Sequence, residues 1–407
     1  MTVLSNIGQL ATCPPGNPQQ DAGLLRNAAL VIRGEKIAWA GPAADLPAEY
    51  AGDETIDCLE RLVVPGLVDC HTHLCFGGWR GDEFEMRLAG ASYLEIAAAG
   101  GGIASTVAAT RDTGADRLEE KARSALDGML ALGVTTVECK SGYGLDEANE
   151  IKQLEVYRSL DRSHAIDLVS TFLGAHIVPP EYRENRSAYV DLLCDTLLPR
   201  VAREGLAEFC DAFVEEGAYT VDEARRIFST AQKLGLRIKL HADQLSNGGG
   251  AALAAEFDAV SAEHLEYADD DGIKAMANAG TVAVSLPLAS LYLGERYLPA
   301  RRFMQADAAV AVATDFNPGS APSYHLPFAL TLACLNQGMT PQEALTGATT
   351  VAARAVGRHQ AIGSLLPGYQ ADLAVIDAPD LNHWLYHFVP NASITVFKKG
   401  HTVYASR

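Results

Sequence analysis

From Leu62 onward, short apolar runs alternate along the chain with stretches whose apolar residues recur at helical spacing. Near-continuous apolar strands separated by helices are typical of a parallel sheet covered on both faces. Eight such units over roughly 250–300 residues predict a closed α/β barrel, the TIM-like (β/α)8 fold. The predicted strands are Val63–Val68, Val134–Cys139, Ile166–Phe172, Glu208–Val214, Arg237–Leu240, Ala259–Ala262, Thr281–Leu286 and Val310–Ala313.

Several of the intervening helices carry clear signals of their own. Residues Asp116–Leu132 place their apolar side chains on one stripe. Thr220 is followed three residues later by Glu223, which is the pattern of a capping box. Thr340 has the same relation to Glu343, with a proline at the first helical position between them. These signals predict helix starts at Thr220 and Thr340.

The two ends of the chain show the two-residue alternation of strands instead. Ala29–Trp39 alternates in this way, Asp372–Asp377 is a short apolar run, and Ile394–Tyr404 reads as a hairpin around Lys399-Gly400. Neither end has enough apolar residues to form a domain alone. We therefore expect residues 1–62 and 362–407 to build one small β-sandwich domain beside a barrel of residues 63–361.

The composition and charge of the chain argue against some classes of binding partner. The chain has 407 residues, of which 48% are hydrophobic, and a net charge of −19. This balance argues against nucleic acid or an anionic membrane surface, because both require clustered Lys and Arg. The uncharged stretch Ala275–Gly294 is interrupted by Asn, Gly and Pro, so we predict a helix end followed by a buried strand. Eight cysteines without close pairs, and no signal-peptide pattern, predict a reduced cytoplasmic protein.

In barrels of this kind the functional residues lie at the carboxyl ends of the strands. Because residues i and i+2 of a strand share a face, His71 and His73 are expected to reach one point, where neutral imidazoles suit zinc or iron. A single histidine is usually structural, but five of the eleven histidines fall at these strand ends. The residues found there are His71 and His73, Lys140 and Tyr143, His176, Glu215, His241 and Gln244, His264, and Asp315, Asn317, Gly319 and Ser320.

This pattern resembles the amidohydrolase superfamily over nearly the whole chain. The resemblance implies that His71, His73, His241 and Asp315 hold a metal ion. It also implies that His264 and Asp315 accept a proton from the attacking water. The finer match is to the imidazolonepropionase family of histidine-degrading enzymes, carried by the segments Asp69–Arg80, Ala99–Thr106, Glu138–Leu145, Phe172–His176, Lys239–Asn247 and Ala311–Gly319.

That family resemblance implies a reaction. A water activated by the metal attacks the cyclic amide carbonyl of 4-imidazolone-5-propanoate, and the ring opens to N-formimidoyl-L-glutamate. Arg80 lies beyond the metal histidines on a Gly-rich loop, where its guanidinium suits the propanoate carboxylate of this small anionic heterocycle. Tyr143 and Tyr93 are expected to add phenolic donors. His176 and Gln244 are expected to hold the carbonyl and the ring nitrogens, with His176 or the metal polarising the carbonyl. Asn317, Gly319 and Ser320 are expected to line the pocket.

Two positions refine the chemistry. Binuclear amidohydrolases usually carry a carboxylated lysine at the end of strand 4, whereas this chain has Glu215 and Glu216 there. One ion per chain is therefore expected, and a bridging role of Glu215 toward a second ion stays open. Deaminases of the superfamily carry Glu three residues after the strand 5 histidine. Here that residue is Gln244, which has no titratable proton, and Asp243 is expected to point away from the site.

Some alternatives remain open at this stage. The ion is Zn²⁺ or Fe³⁺, since imidazole and carboxylate ligands suit both. A homodimer is expected by family analogy alone. Within enzymes, the rivals are a mononuclear deaminase and a different cyclic amidase. A non-catalytic barrel protein is a further rival, and the presence of every expected ligand together with His264 argues against it.

Overall fold

A computed structural model of the chain describes residues 1–50, 52–91, 95 and 100–406. Its strands are β1 Thr2–Ala11, β2 Leu24–Arg33, β3 Lys36–Pro42, β4 Glu54–Asp57, β5 Leu62–Pro65, β6 Leu67–Thr72, β7 Val134–Lys140, β8 Asp167–Ala175, β9 Phe209–Val214, β10 Arg237–Ala242, β11 Ser261–His264, β12 Val282–Ser285, β13 Val310–Val312, β14 Leu373–Ile376, β15 Ser393–Lys398 and β16 His401–Ala405.

Helices occupy most of the intervals between the barrel strands. The described α-helices are α1 Gly81–Leu88, α2 Ile103–Asp112, α3 Ala115–Ala131, α4 Glu147–Ser163, α5 Arg186–Leu192, α6 Leu198–Glu204, α7 Val221–Lys233, α8 Gly250–Glu256, α9 Asp270–Ala279, α10 Pro287–Leu293, α11 Ala300–Gln305, α12 Leu326–Gln337, α13 Pro341–Gly347, α14 Thr350–Ala355 and α15 Leu381–Tyr386. A π-helical turn, Leu193–Leu197, joins α5 to α6, and 3-10 turns lie at Ala43–Asp45, Ala48–Tyr50 and Pro180–Tyr182.

Strands β6 to β13 form the predicted barrel. They are parallel and lie side by side in chain order. The ring closes where the chain after β13 meets β6. The Asp315 N–H donates to the His71 carbonyl at 3.1 Å, and the His73 N–H donates to the Phe316 carbonyl at 2.9 Å. The closing hydrogen bonds therefore fix the two predicted ligand segments against each other.

The remaining strands confirm that both termini build one small β-domain. They form a single eight-stranded sheet in the order β16-β15-β14-β5-β1-β2-β3, with β4 paired to β1. The sheet folds over itself, because Ile32 and Ile37 of its amino-terminal part share one buried cluster with Leu373, Val375 and Phe397 of its carboxy-terminal part. The expected sandwich is therefore one folded sheet.

The predicted first strand, Val63–Val68, was wrong. Leu62–Pro65 forms β5 of the small sheet, where it pairs antiparallel with β14 and parallel with β1, and the barrel strand begins only at Leu67. Gly66 separates the two strands, and a Cβ there would lie 2.3 Å from Thr135 Oγ1. The apolar run continues through both strands because both are buried, so its pattern does not show the change of sheet.

The local signals elsewhere are confirmed. Thr220 and Thr340 cap α7 and α13, each with a complete capping box. The stretch after Ala275 is the end of α9 followed by the buried β12. In the described part of the chain, no helix is long and apolar enough to cross a membrane.

Candidate metal centre and active site

The barrel brings four predicted ligands together at the carboxyl ends of its strands. Asp315 Oδ1 lies 3.4 Å from Nε2 of His71 and 3.4 Å from Nε2 of His73. Nε2 of His241 lies 3.4 Å from Nε2 of His73. All four side chains are buried. Three imidazole nitrogens and one carboxylate oxygen therefore face one small volume.

The spacing and the unsatisfied atoms of this cluster fit a bound cation. Two ligand atoms about 2.0–2.1 Å from a zinc ion lie about 3.4 Å apart at a tetrahedral angle. Among the residues that the structure describes, neither ring nitrogen of His71 has a hydrogen-bond partner, and Nδ1 of His73 also lacks one. Burial lowers the pKa of both histidines, which favours the neutral imidazole that binds metals. Nitrogen and carboxylate donors of this kind suit zinc or iron.

His241 is oriented from behind by a carboxylate. Asp211 on β9 accepts hydrogen bonds from Nδ1 of His241 at 3.1 Å and from its backbone N–H at 3.2 Å. Because Nδ1 carries the proton, Nε2 is left with its lone pair toward the cluster. The fully buried Lys140 donates to Asp211 and to Glu138, each at 2.8 Å.

Lys140 was predicted only to lie at a strand end, with no role, and Asp211 was not predicted as a site residue. Burial alone would lower the pKa of Lys140, but the charges of Asp211 and Glu138 outweigh it and raise that pKa. Burial alone would raise the pKa of Asp211, but the nearby His241 and Lys140 outweigh this effect and lower that pKa. An aspartate inside an otherwise apolar strand was the available signal, since a buried carboxylate requires partners.

His264 lies beside the cluster. Its ring centre is 6.0 Å from that of His71 and 5.5 Å from that of His241, and its Nδ1 lies 3.8 Å from Glu266 Oε1. Burial lowers the pKa of His264, but Glu266 and Asp315 outweigh this and raise it above 6.5. Asp315 is held ionised in turn, because His73 and His264 lower its pKa despite burial. A basic imidazole thus adjoins an ionised carboxylate.

His264 and Asp315 also share an unusual backbone. Their φ angles are +73° and +57°. Non-glycine residues in this left-handed region are uncommon and cluster at functional sites, where the surrounding structure enforces them. The backbone of Asp315 is held on both sides, because its N–H donates to the His71 carbonyl and its carbonyl accepts from Asn317 Nδ2.

His176 and Tyr143 form one wall of the site. The His176 ring stacks on that of His73 with centres 5.2 Å apart, and the buried Tyr143 ring lies 5.3 Å from His176. Nδ1 of His176 donates to the Gly142 carbonyl at 3.0 Å, and burial lowers the pKa of the ring well below 6.5. His176 is therefore neutral with its proton on Nδ1, which leaves Nε2 as a hydrogen-bond acceptor.

The loop after β13 is organised by Asn317. Its Oδ1 accepts from the N–H groups of Gly319 and Ser320 at 2.8 Å, and its Nδ2 donates to the Asp315 carbonyl at 2.7 Å and to Ser320 Oγ at 2.8 Å. Gly319 lies against the Arg80 guanidinium, since a Cβ there would be 2.0 Å from Nη1. The loop thus brings the metal cluster next to Arg80.

Other predicted positions differ in their surroundings. Gln244 is half-buried and makes no side-chain hydrogen bond to any residue that the structure describes. Asp243 points away from His241, as expected, and caps the backbone of Gly248, Gly250 and Ala251. Tyr93 lies outside the described residues.

Glu215, for which a bridging role was left open, supports the loop after β10. It accepts from the N–H groups of Leu245 at 2.8 Å and Ser246 at 3.3 Å. Among the described residues, it does not belong to any group of side chains close enough to share an ion. This placement favours a single-ion centre.

Comparisons with known proteins identify the family of the chain. The model of the Amidohydrolase family matches residues 62–403. The imidazolonepropionase of Symbiobacterium thermophilum is 48% identical over 393 residues, covering 95% of this chain and 92% of that protein. The imidazolonepropionase of Geobacillus kaustophilus is 46% identical over 387 residues, covering 94% and 91%.

Among solved structures, the fold resembles the zinc complex of the atrazine chlorohydrolase TrzN from Arthrobacter aurescens TC1. The TM-score is 0.70 at 18% identity, with 99% of this chain and 95% of that chain covered. At this identity the likeness concerns the fold alone.

Proposed function

The chain belongs to the imidazolonepropionase family of the amidohydrolases, and we propose that it opens the ring of 4-imidazolone-5-propanoate to give N-formimidoyl-L-glutamate. The family assignment makes it a hydrolase of histidine degradation. The observation that carries the proposal is the convergence of His71, His73, His241 and Asp315 beside His264. We place the enzyme in the cytoplasm, since its eight cysteines are free.

We assign these four residues as the ligands of one Zn²⁺ or Fe³⁺ ion. Such an ion supplies a water of lowered pKa and a Lewis acid for a carbonyl oxygen. Asp211 keeps His241 in the tautomer that presents Nε2. Asp315 and His264 take up the proton of the attacking water, because they are the ionised carboxylate and the basic imidazole of the site. The same proton then passes to the ring nitrogen as the amide C–N bond breaks.

The chain's remaining site residues hold the substrate. Arg80 pairs with the propanoate carboxylate. His176 accepts a hydrogen bond from a ring N–H through Nε2, since its Nδ1 is committed to Gly142. Of the two groups expected to polarise the carbonyl, the metal and His176, this favours the metal, because a neutral ring of this tautomer has no second proton to donate. Tyr143 completes the wall beside His176. The side chain of Gln244 makes no hydrogen bond to the described residues and is available to the ring.

A substrate panel tests the proposed function. The metal-loaded enzyme is assayed with 4-imidazolone-5-propanoate, with hydantoins and with aminated heterocycles. Ring opening of the imidazolone at a far higher kcat/KM than any other compound is the expected result. Preferred release of ammonia from an aminated heterocycle would identify a deaminase, and preferred opening of a hydantoin would identify a different cyclic amidase.

The metal content is a separate prediction. The active enzyme should contain about one tightly held ion per chain, because β9, the fourth strand of the barrel, supplies no lysine and Glu215 is engaged by the loop after β10. Elemental analysis of the purified protein, matched to activity during titration of metal into the apoenzyme, measures this. Two tightly held ions at full activity would contradict the single-ion centre.

The support of His241 gives another prediction. Asp211→Asn preserves the shape of the side chain but removes the charge that orients His241 and pairs with Lys140. We expect metal affinity to fall by about 10- to 100-fold, which is the usual effect of losing such a supporting carboxylate. Competition with a chelator measures the affinity, and Asp195→Asn on the exposed surface is the control. An unchanged affinity would show that Asp211 does not act on the metal centre.

A further inference from the structure

Glu83 on α1 is a nearly buried carboxylate at the mouth of the site. Its side chain is only 12% exposed, and it lies three residues after Arg80. Burying an ionised carboxylate is costly unless its oxygens are hydrogen bonded. Both carboxylate oxygens of Glu83 are therefore expected to accept hydrogen bonds.

The two oxygens of Glu83 bind different parts of the chain. Oε2 accepts from Arg80 Nε at 2.9 Å and from Arg80 Nη2 at 2.6 Å. Oε1 accepts from the buried Gly102 N–H at 2.8 Å and from Ser105 Oγ at 3.3 Å. Gly102 has a φ of +76°, a conformation that glycine adopts without strain. Glu83 thus ties Arg80 to the start of α2.

Arg80 is confined on its other side by Gly319. A Cβ at that position would lie 2.0 Å from Nη1, so only glycine leaves room for the guanidinium where Glu83 holds it. Glu83 uses Nε and one hydrogen of Nη2, and the other three N–H groups have no partner in the part of the chain that the structure describes. The guanidinium is oriented, yet it keeps donors for a second carboxylate.

We propose that Glu83 is a positioning residue that sets the orientation of Arg80 toward the carboxylate of the substrate, and so determines specificity for anionic imidazolones. The inference rests on the proposed function. An oriented guanidinium loses less freedom when it binds a carboxylate, so fixing its orientation in advance strengthens substrate binding.

The variant Glu83→Gln distinguishes a Glu83 that positions Arg80 from a Glu83 that competes with the substrate for Arg80. If Glu83 merely competed with the substrate for Arg80, removing its charge would free the guanidinium and lower KM. Positioning predicts the opposite, namely that KM for 4-imidazolone-5-propanoate rises on the order of 10-fold with little change in kcat, because the guanidinium must then be ordered when the substrate binds. An uncharged imidazolone without the propanoate should react at an unchanged rate. Glu83→Asp keeps the charge but shortens the reach, so it should recover part of the loss.

Asp82→Asn is the matched control, since it removes one negative charge from the exposed neighbouring residue of the same helix. The double variant Arg80→Met/Glu83→Gln should be no worse than Arg80→Met alone, because Glu83 acts through Arg80. Metal content and thermal melting report on folding. A lower KM, equal losses on charged and uncharged substrates, or additive losses in the double variant would each overturn the proposal. Absence of turnover by the wild-type enzyme would instead overturn the proposed function.

Discussion

Replacing His264 with alanine should lower kcat by at least about 100-fold while most of the metal stays bound. The reason is its place beside the cluster: the ring lies 5.5 Å from that of His241, and neighbouring carboxylates raise its pKa. In the proposed mechanism this imidazole accepts the proton of the attacking water. The four assigned ligands do not include it, so the ion should remain.

The measurement pairs steady-state kinetics with metal analysis of the same preparation. His359→Ala, which removes an exposed histidine after α14, is the control for replacing a histidine with alanine. The geometry also places His264 in a group with His71 and His241 whose ligand atoms lie within 4.8 Å of one another. If the variant loses its metal together with its activity, His264 is a ligand and the division between base and ligands is wrong.

Arg80→Met should lower kcat/KM for 4-imidazolone-5-propanoate by about 10²- to 10³-fold. Losing one partner of a largely buried ion pair costs on the order of 3–5 kcal/mol, and here the lost partner also positions the ring. Arg80→Lys should recover only part of this, because an ammonium cannot reproduce the two parallel hydrogen bonds of a guanidinium. Metal content should not change in either variant.

The substrate without the propanoate group provides the internal control. It should react poorly with the wild-type enzyme, and Arg80→Met should hardly alter its rate. Arg117→Met, at an exposed arginine of α3, controls for the loss of a positive charge. Equal losses on charged and uncharged substrates would show that Arg80 acts structurally, and the argument for an anionic substrate would then fail.

The fold could be predicted where the signal is local. The capping boxes at Thr220 and Thr340 are complete within four residues, and the structure contains both. The first barrel strand was misplaced because Leu62–Pro65 and Leu67–Thr72 are both fully buried, so one apolar run covers strands of two different sheets. The pairing of β5 with β1 and with β14, which is more than 300 residues away, separates them.

In the candidate site, too, some residues could be predicted from the sequence and others depend on contacts across the fold. The ends of the strands, where His71, His73, His241 and Asp315 stand, could be predicted to meet at one rim, because a closed barrel places all carboxyl ends there. The choice of these four as ligands came from the resemblance to the amidohydrolase superfamily. Asp211 and Glu83 could not be assigned roles, since those roles depend on contacts across the fold, to His241 and to Gly102. Homodimer formation stays a prediction.

Hydrolysis in oxygen-18 water tests the central claim most directly. The metal-loaded enzyme is given 4-imidazolone-5-propanoate, and the product is analysed by mass spectrometry together with an assay for free ammonia. Attack of water on the ring carbonyl predicts N-formimidoyl-L-glutamate that carries the label in its α-carboxylate and retains both ring nitrogens, with no ammonia released. Release of ammonia, or recovery of the imidazolone unchanged, would contradict the assignment of this site as a ring-opening hydrolase.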